Sequence, residues 1–282
     1  GISQTGSTGT ESYVYLEGIN LFKDKNPTAQ LGFEVKQKSG VKTVVRQVFI
    51  GDNLYEKSGN LEEYKDRFVV MEIDGRDNSL TFQNGLKIYA GDVKGAVNED
   101  QLRRIQIRET ILSHIERERQ LYIKGVKVLS LFFIDEVSKY KQYDASGSAY
   151  NGTYAEMFVE EYNDVVGNLQ LKFGEDSYVD YLKSIDTDNT HAGYFSIDKK
   201  KGHFIDSKIE RATKESNDVD AYNLIMKNKE RLLSFEEPVR FIFSHSALKE
   251  GWDNPNVFQI CTLKQSTAET RKRQEVGRGL RL

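Results

Sequence analysis

The stretch QEVGRGLRL spaces Gln274, Arg278 and Arg281 around two glycines, Gly277 and Gly279. A guanidinium fork matches the paired oxygens of a phosphate better than a lysine ammonium does. Arg278 and Arg281 are three positions apart, so a helix would present both from one face. The segment 264–281 carries Lys264, Arg271, Lys272, Arg273, Arg278 and Arg281 against Glu269 and Glu275, a local excess of four positive charges. Such an excess suits the phosphates of a nucleotide or of a DNA backbone. A solvated helix face would also be rich in arginine, but the adjacent glycines are poor helix formers and weigh against that plainer reading.

Other constellations carry less. Asp135-Glu136 closes the apolar run LSLFFIDEV, which looks like a strand ending in a magnesium-binding acid. No GxxxxGK[ST] loop occurs in the sequence to cradle phosphates beside it, so the acidic pair reads as a helix start. Glu34 and Lys36 have the spacing of half a nuclease motif, yet no Pro-Asp precedes them, and a solvated strand edge accounts for both. Asp186 and Asp188 lack the glycine and terminal glutamate of a calcium loop and read as a solvated turn. His191 and His203 have no cysteine or acid at ligand spacing, so no metal site is expected. His245 lies between Ser244 and Ser246, but consecutive strand residues point to opposite faces, which excludes a hydrolase triad there.

These residues sit in a chain of 282 residues with 29% charged side chains and a formal net charge of -3. That balance excludes a polycation made for nucleic acid and an acidic tail, and any basic surface must be local. The length allows two domains, each with its own core. Cys261, the single cysteine, lies in VFQICTL and is expected to be a buried thiol in a reducing compartment. No apolar stretch is long enough to span a membrane, and GISQTGSTGTES lacks the regions of a signal peptide. The expectation is a cytoplasmic protein whose first residues are a linker.

The elements that must position the candidate residues change character near residue 96. Before it, YVYLEGI, GFEVKQ, KTVVRQVFI, RFVVMEI, SLTFQ and LKIYAG alternate or are β-branched and are separated by turn formers, which predicts an antiparallel region over 1–95. After it, NEDQLRRIQIRETILSHIERERQLYIKG predicts a helix capped by Asn98, closed by Gly125 and striped by Leu102, Ile105, Leu112, Ile115 and Leu121. VKVLSLFFI is too apolar for a one-sided strand and predicts the centre of a parallel sheet. The helix DAYNLIMKNKERLLS, the strands VRFIFSH and VFQICTL and the basic helix TAETRKRQEVGRG follow, giving an α/β domain over 96–282 with right-handed crossovers. A helical insertion is expected around 141–190, where Tyr154, Phe158 and Tyr162 recur every fourth residue as a core stripe.

In order and spacing, SHSALKEGWDNPNVFQI and QEVGRGLR resemble motifs V and VI of superfamily 2 helicases and translocases. FSHSALKEGWDNPNVFQICTLKQS, KVLSLFFIDEV and HAGYFSIDKKKG together resemble the restriction (Res) subunit of type III restriction enzymes, from about Asn53 onward. QxxGRxxR alone is moderately specific, and a GWDxPNV segment about twenty residues earlier makes the pair strong. The resemblance implies a RecA-like sheet acting as the second of two motor domains, with ATP in the cleft between them. It assigns Arg278 and Arg281 as arginine fingers and Gln274 to the nucleotide or attacking water. Gly277 would permit close approach of the partner domain, and Gly251 and Asp253 would contact the nucleotide sugar. Ser244 and Ser246 become phosphate-backbone donors. ATP and Mg2+ are implied, held mainly by a first motor domain. The implied partners are double-stranded DNA, a modification methyltransferase (Mod) subunit and the first RecA-like and nuclease domains of the same subunit. On this reading the chain is a motor-domain piece that neither hydrolyses ATP nor cuts DNA unaided, and 1–95 is a β-rich insertion. Another superfamily 2 helicase, a nucleotide-independent nucleic-acid binding module and a scaffold with a decayed motor fold are the competing readings.

Overall fold

A computed structural model describes residues 12–173, 176–197, 204–205, 229–244 and 256–263. The chain divides into two compact units, Gly1–Leu102 and Arg103–Leu282.

The first unit is antiparallel. β1 (Val14–Asn20), β2 (Thr28–Gln37), β3 (Gly40–Val48) and β7 (Val93–Lys94) form one sheet in the order β3-β2-β1-β7. β4 (Val70–Asp74), β5 (Ser79–Phe82) and β6 (Lys87–Tyr89) form a second, in sequence order. All six β segments expected from alternation are present as strands. Alternate residues of these strands, among them Leu16, Leu31, Phe33, Val70, Leu80, Phe82 and Ile88, fill one core with Leu54 of the short helix α1 (Leu54–Lys57). Tyr64 closes that core with its ring edge-on to Phe33 and Phe68, and its hydroxyl donates to the Tyr13 carbonyl at 2.7 Å.

α2 (Glu99–Tyr122) begins where the sequence predicts. The Asn98 side chain accepts from the Gln101 amide at 2.8 Å and the Gln101 side chain accepts from the Asn98 amide at 3.0 Å, a reciprocal cap that satisfies two otherwise orphaned donors. It ends before Gly125, whose φ of 70° lies in the left-handed region that favours glycine. The buried stripe differs from the expected one: Ile107, Ile111, His114, Ile115 and Glu118 face inward, while Leu102, Ile105, Leu112 and Leu121 are only partly buried. Polar partners inside the second unit allow His114 and Glu118 to take positions that a purely apolar stripe would have filled.

The second unit is built on a four-stranded parallel sheet of β8 (Leu129–Ile134), β11 (His191–Tyr194), β14 (Phe241–Ser244) and β15 (Val257–Leu263). Their order across the sheet is β11-β14-β8-β15. β8 lies inside the sheet, as its unbroken apolar run predicts. One face packs Phe132, Ile134, Phe241, Phe243 and Leu263 against α2 and against α3 (Thr153–Phe173) and α4 (Ser177–Lys183). The other face packs Leu129, Leu131 and Ile242 with Leu232 and Val239. Tyr154, Phe158 and Tyr162 of α3 are buried in the first of these cores, so the every-fourth aromatic stripe is core packing.

The interval 141–190 thus holds helices that cover the sheet, and it leads directly into a strand of that sheet, His191–Tyr194. It also contains a small antiparallel hairpin of β9 (Lys141–Tyr143) and β10 (Ala149–Asn151). β12 (Ser196–Ile197) and β13 (Phe204–Ile205) pair antiparallel. Cys261 is only partly buried, a correction to the expected buried thiol, because among the described residues β15 lies at the edge of the sheet. The acidic pair after β8 starts a 3-10 turn, Val137–Lys139, rather than an α-helix, and Glu136 makes no capping hydrogen bond to its backbone. Asp186 and Asp188 lie exposed at a 3-10 turn, with the Asp186 carboxylate accepting from the Asp188 amide at 3.1 Å.

Candidate functional site

In open parallel sheets ligands bind outside the carboxyl ends of the strands. Here that edge is formed by Ile134, which ends β8, and Asp135 after it, by Tyr194, which ends β11, and Phe195 after it, and by Ser244 ending β14. The parallel register aligns Ser244 with Phe133 on one side and Tyr194 on the other. Strand alternation sends the Ser244 side chain to the same face as Ile242, and it is buried there. Ser244 is the one sequence-predicted site residue within the described part of the chain. Gly251, Asp253, Ser246, Gln274, Gly277, Arg278 and Arg281 lie outside the described residues, as do His203, His245, Trp252 and the expected basic helix.

Beneath the carboxyl edge, Tyr140 rests on the sheet. Its hydroxyl lies 2.9 Å from His191 Nδ1, and its ring packs on Phe195 and Phe243. A Cβ at Gly193 would come within 2.6 Å of the Tyr140 ring, so only glycine lets the ring seat against β11. Burial, with Lys141 nearby, pushes His191 down to about 4, so this imidazole is neutral near pH 7.

A buried ionic cluster, not foreseen from sequence, occupies the amino end of the sheet. Glu118 and Arg240 are both fully buried, with Arg240 Nε 3.2 Å from Glu118 Oε1. Glu118 also accepts from the Val128 amide at 2.9 Å and from the Tyr178 hydroxyl at 3.0 Å. Arg240 donates to the Tyr181 hydroxyl at 2.7 Å. His114 Nε2 stands 3.4 Å from Glu118 Oε2, and His114 Nδ1 lies 2.8 Å from Ser130 Oγ. Burial alone would raise the Glu118 carboxyl, but Arg240 and His114 outweigh it and hold the group at about 2. Lys127 is buried with its ammonium donating to the carbonyls of Leu232, Ser234 and Glu237, and burial beside Arg240 brings it down to about 7. This cluster ties α2, α4 and the entry to β14 together, at the end of the sheet opposite Ser244. The signal was present in part: His114 and Glu118 fall on the helical face of Ile107, Ile111 and Ile115.

Among the described residues no group of three or more His, Cys, Asp or Glu side chains could hold a metal ion. No helix among them is long and apolar enough to cross a membrane.

No family model matches the chain. It is 39% identical over 211 residues to the Res subunit of the type III restriction-modification enzyme EcoPI of Escherichia phage P1. It is 38% identical over 211 residues to the EcoP15I Res subunit of Escherichia coli. Each of these alignments covers 73% of the chain and 20% of the relative. The StyLTI Res subunit of Salmonella typhimurium is 30% identical over 301 residues, covering 95% of the chain and 28% of the relative. The chain therefore spans well under a third of the length of the curated relatives it matches.

Proposed function

We propose, from the premise that this chain is a relative of the Res subunits of type III restriction-modification enzymes, that it acts as the second RecA-like motor domain of an ATP-dependent DNA translocase and endonuclease. The observation that carries the reading is the parallel sheet itself. β14 ends at its carboxyl edge and leads into ALKEGWDNPN, β15 follows, and QEVGRGLR comes next, the order in which a motor domain presents motif V and motif VI.

Phosphoryl transfer is a problem of positioning and of cations aimed at developing charge. In this proposal Arg278 and Arg281 reach across a cleft to the phosphates of ATP bound on a first motor domain. Gln274 orients nucleotide or water, and Gly277 permits the close approach. Gly251 and Asp253 contact the nucleotide sugar, while Ser244 and Ser246 begin the loop that meets the DNA backbone. ATP and Mg2+ are held mainly by the first domain. Duplex DNA is the track, a Mod subunit is the partner that reads the sequence, and a nuclease domain of the same subunit cuts. The regions 1–95 and 96–282 correspond to a β-rich insertion and the motor domain.

Steady-state ATP hydrolysis by the full-length subunit, with and without DNA, tests the reading. Arg281→Ala is expected to lower turnover on the order of a thousandfold, as loss of an arginine finger does. Normal turnover in that variant would remove Arg281 from the nucleotide site and return the terminal arginines to backbone binding.

A further inference from the structure

Among the described residues, the β2–β3 hairpin outruns its own sheet. β1 has its last β2 partner at Val14, opposite Phe33, whereas the β2–β3 ladder continues through Glu34, Val35 and Lys36 to Gln37, opposite Gly40. The stem is braced: the Glu34 amide donates to the Tyr64 hydroxyl at 2.9 Å and the Lys36 amide donates to the Ser58 carbonyl at 2.8 Å. A Cβ at Gly59, where φ is 75°, would stand 3.3 Å from Lys36 Cβ, so glycine lets the supporting loop pack closely under the ribbon. Beyond the brace every residue from Lys36 to Lys42 is exposed. These residues, KQKSGVK, contain three lysines, and no acid occurs between Glu34 and Asp52.

Register decides where the charges point. Lys36 lies opposite Val41 and Lys42 lies opposite Val35, so the two lysines stand on opposite faces of the ribbon, with Lys38 at the turn. A flat acidic protein surface would engage one face. A groove walled by two phosphate rows engages both, and the major groove of B-DNA, about 12 Å wide, admits a two-stranded ribbon. Of the remaining tip side chains, Gln37, Ser39 and Val41, only Gln37 carries an amide that pairs with two atoms of one base, adenine, so most of the interaction is with the backbone. We infer that the 36–42 hairpin is a DNA-docking arm that enters a groove of the duplex and places Lys36 and Lys42 against the phosphates of its two walls. The inference rests on the duplex-tracking reading above and adds to it a site in the β-rich region.

The test uses the 282-residue chain and a labelled duplex, with affinity measured across a salt series. The triple variant Lys36→Gln/Lys38→Gln/Lys42→Gln is expected to lower the slope of log affinity against log salt by about two to three, at roughly 0.9 for each phosphate left unneutralised. The matching triple arginine variant should retain the wild-type slope. All three side chains are exposed, where a polar contact is worth less than about 1 kcal/mol, so thermal unfolding should differ little among the three proteins. An unchanged slope in the glutamine variant overturns the arm while leaving the motor reading intact. Equal loss of affinity for duplex and for polyglutamate marks a general anion dock and also overturns it. Failure of the wild-type chain to bind duplex overturns it as well, since exposed lysines need no other domain. The motor reading is judged separately, by ATP turnover in the Arg281→Ala subunit.

Discussion

At the scale of single residues, the Glu118–Arg240 pair is the feature whose removal is expected to be most costly. Two charges withdrawn from water are tolerated because each meets the other and further hydrogen bonds, so removing one strands its partner. Glu118→Gln is expected to cost about 3–5 kcal/mol in urea unfolding, and Glu118→Gln/Arg240→Met should recover part of the loss. His191 supplies a second prediction. Its folded value of about 4 lies below the unfolded value near 6.5. The folded state therefore binds fewer protons, and its contribution is complete above the unfolded value and lost as pH falls toward the folded one. His191→Gln should flatten that acid limb of the urea midpoint, with up to about 3 kcal/mol at stake. Glu118 acts in the same sense at lower pH, because its carboxyl is held at about 2. An acid limb of wild-type steepness in His191→Gln would place the titration elsewhere. None of this could be read from residue type alone. Helical spacing put His114 and Glu118 on the buried face, but nothing in EEPVRFIF signals that Arg240 turns inward, because its partners Glu118 and Tyr181 lie on α2 and α4, far away in sequence.

At the scale of elements, the sequence was most legible where periodicity and punctuation agreed. The ends of α2 followed from Asn98 and Gly125, and Asn98→Ala should lower the melting stability by about 1 kcal/mol, the usual value of a side-chain cap. β8 was legible as an interior strand because both its faces are apolar. β11 was not: HAGY has no β-branched residue and no alternation, and it is a strand because Phe241–Ser244 of β14 offers a parallel ladder to it. Its glycine has a specific use. Gly193→Ala would put a methyl carbon 2.6 Å from the Tyr140 ring and 2.7 Å from the Phe195 ring, both packed in the core. Overpacking of this kind is expected to cost about 1–3 kcal/mol, measured by urea unfolding, because the Tyr140 ring is held between Phe243 and the Phe195 ring. Wild-type stability in Gly193→Ala would show that the Tyr140 ring is not fixed where it lies.

At the scale of the whole molecule, the net charge of -3 means that any affinity for DNA must come from local excesses of positive charge. Two such excesses can be told apart by what each does. The hairpin lysines are proposed to hold phosphates and nothing else. The segment 264–281 mixes Arg271, Lys272 and Arg273, which stand outside the QxxGRxxR pattern, with Arg278 and Arg281, which are part of it. If the segment serves a motor, these two sets separate. Arg271→Gln/Lys272→Gln/Arg273→Gln in the full-length subunit should reduce the salt slope of duplex binding, by about 0.9 for each phosphate left unneutralised, while ATP turnover at saturating DNA stays near wild type. Arg281→Ala should do the reverse, abolishing most turnover with little change in the slope. A backbone-binding module predicts instead that both variants move the slope and that nucleotide has no bearing on either. The two measurements together decide between the readings, because a cation facing a transferring phosphoryl group acts on a rate, whereas a cation facing a DNA phosphate acts on a salt-dependent equilibrium.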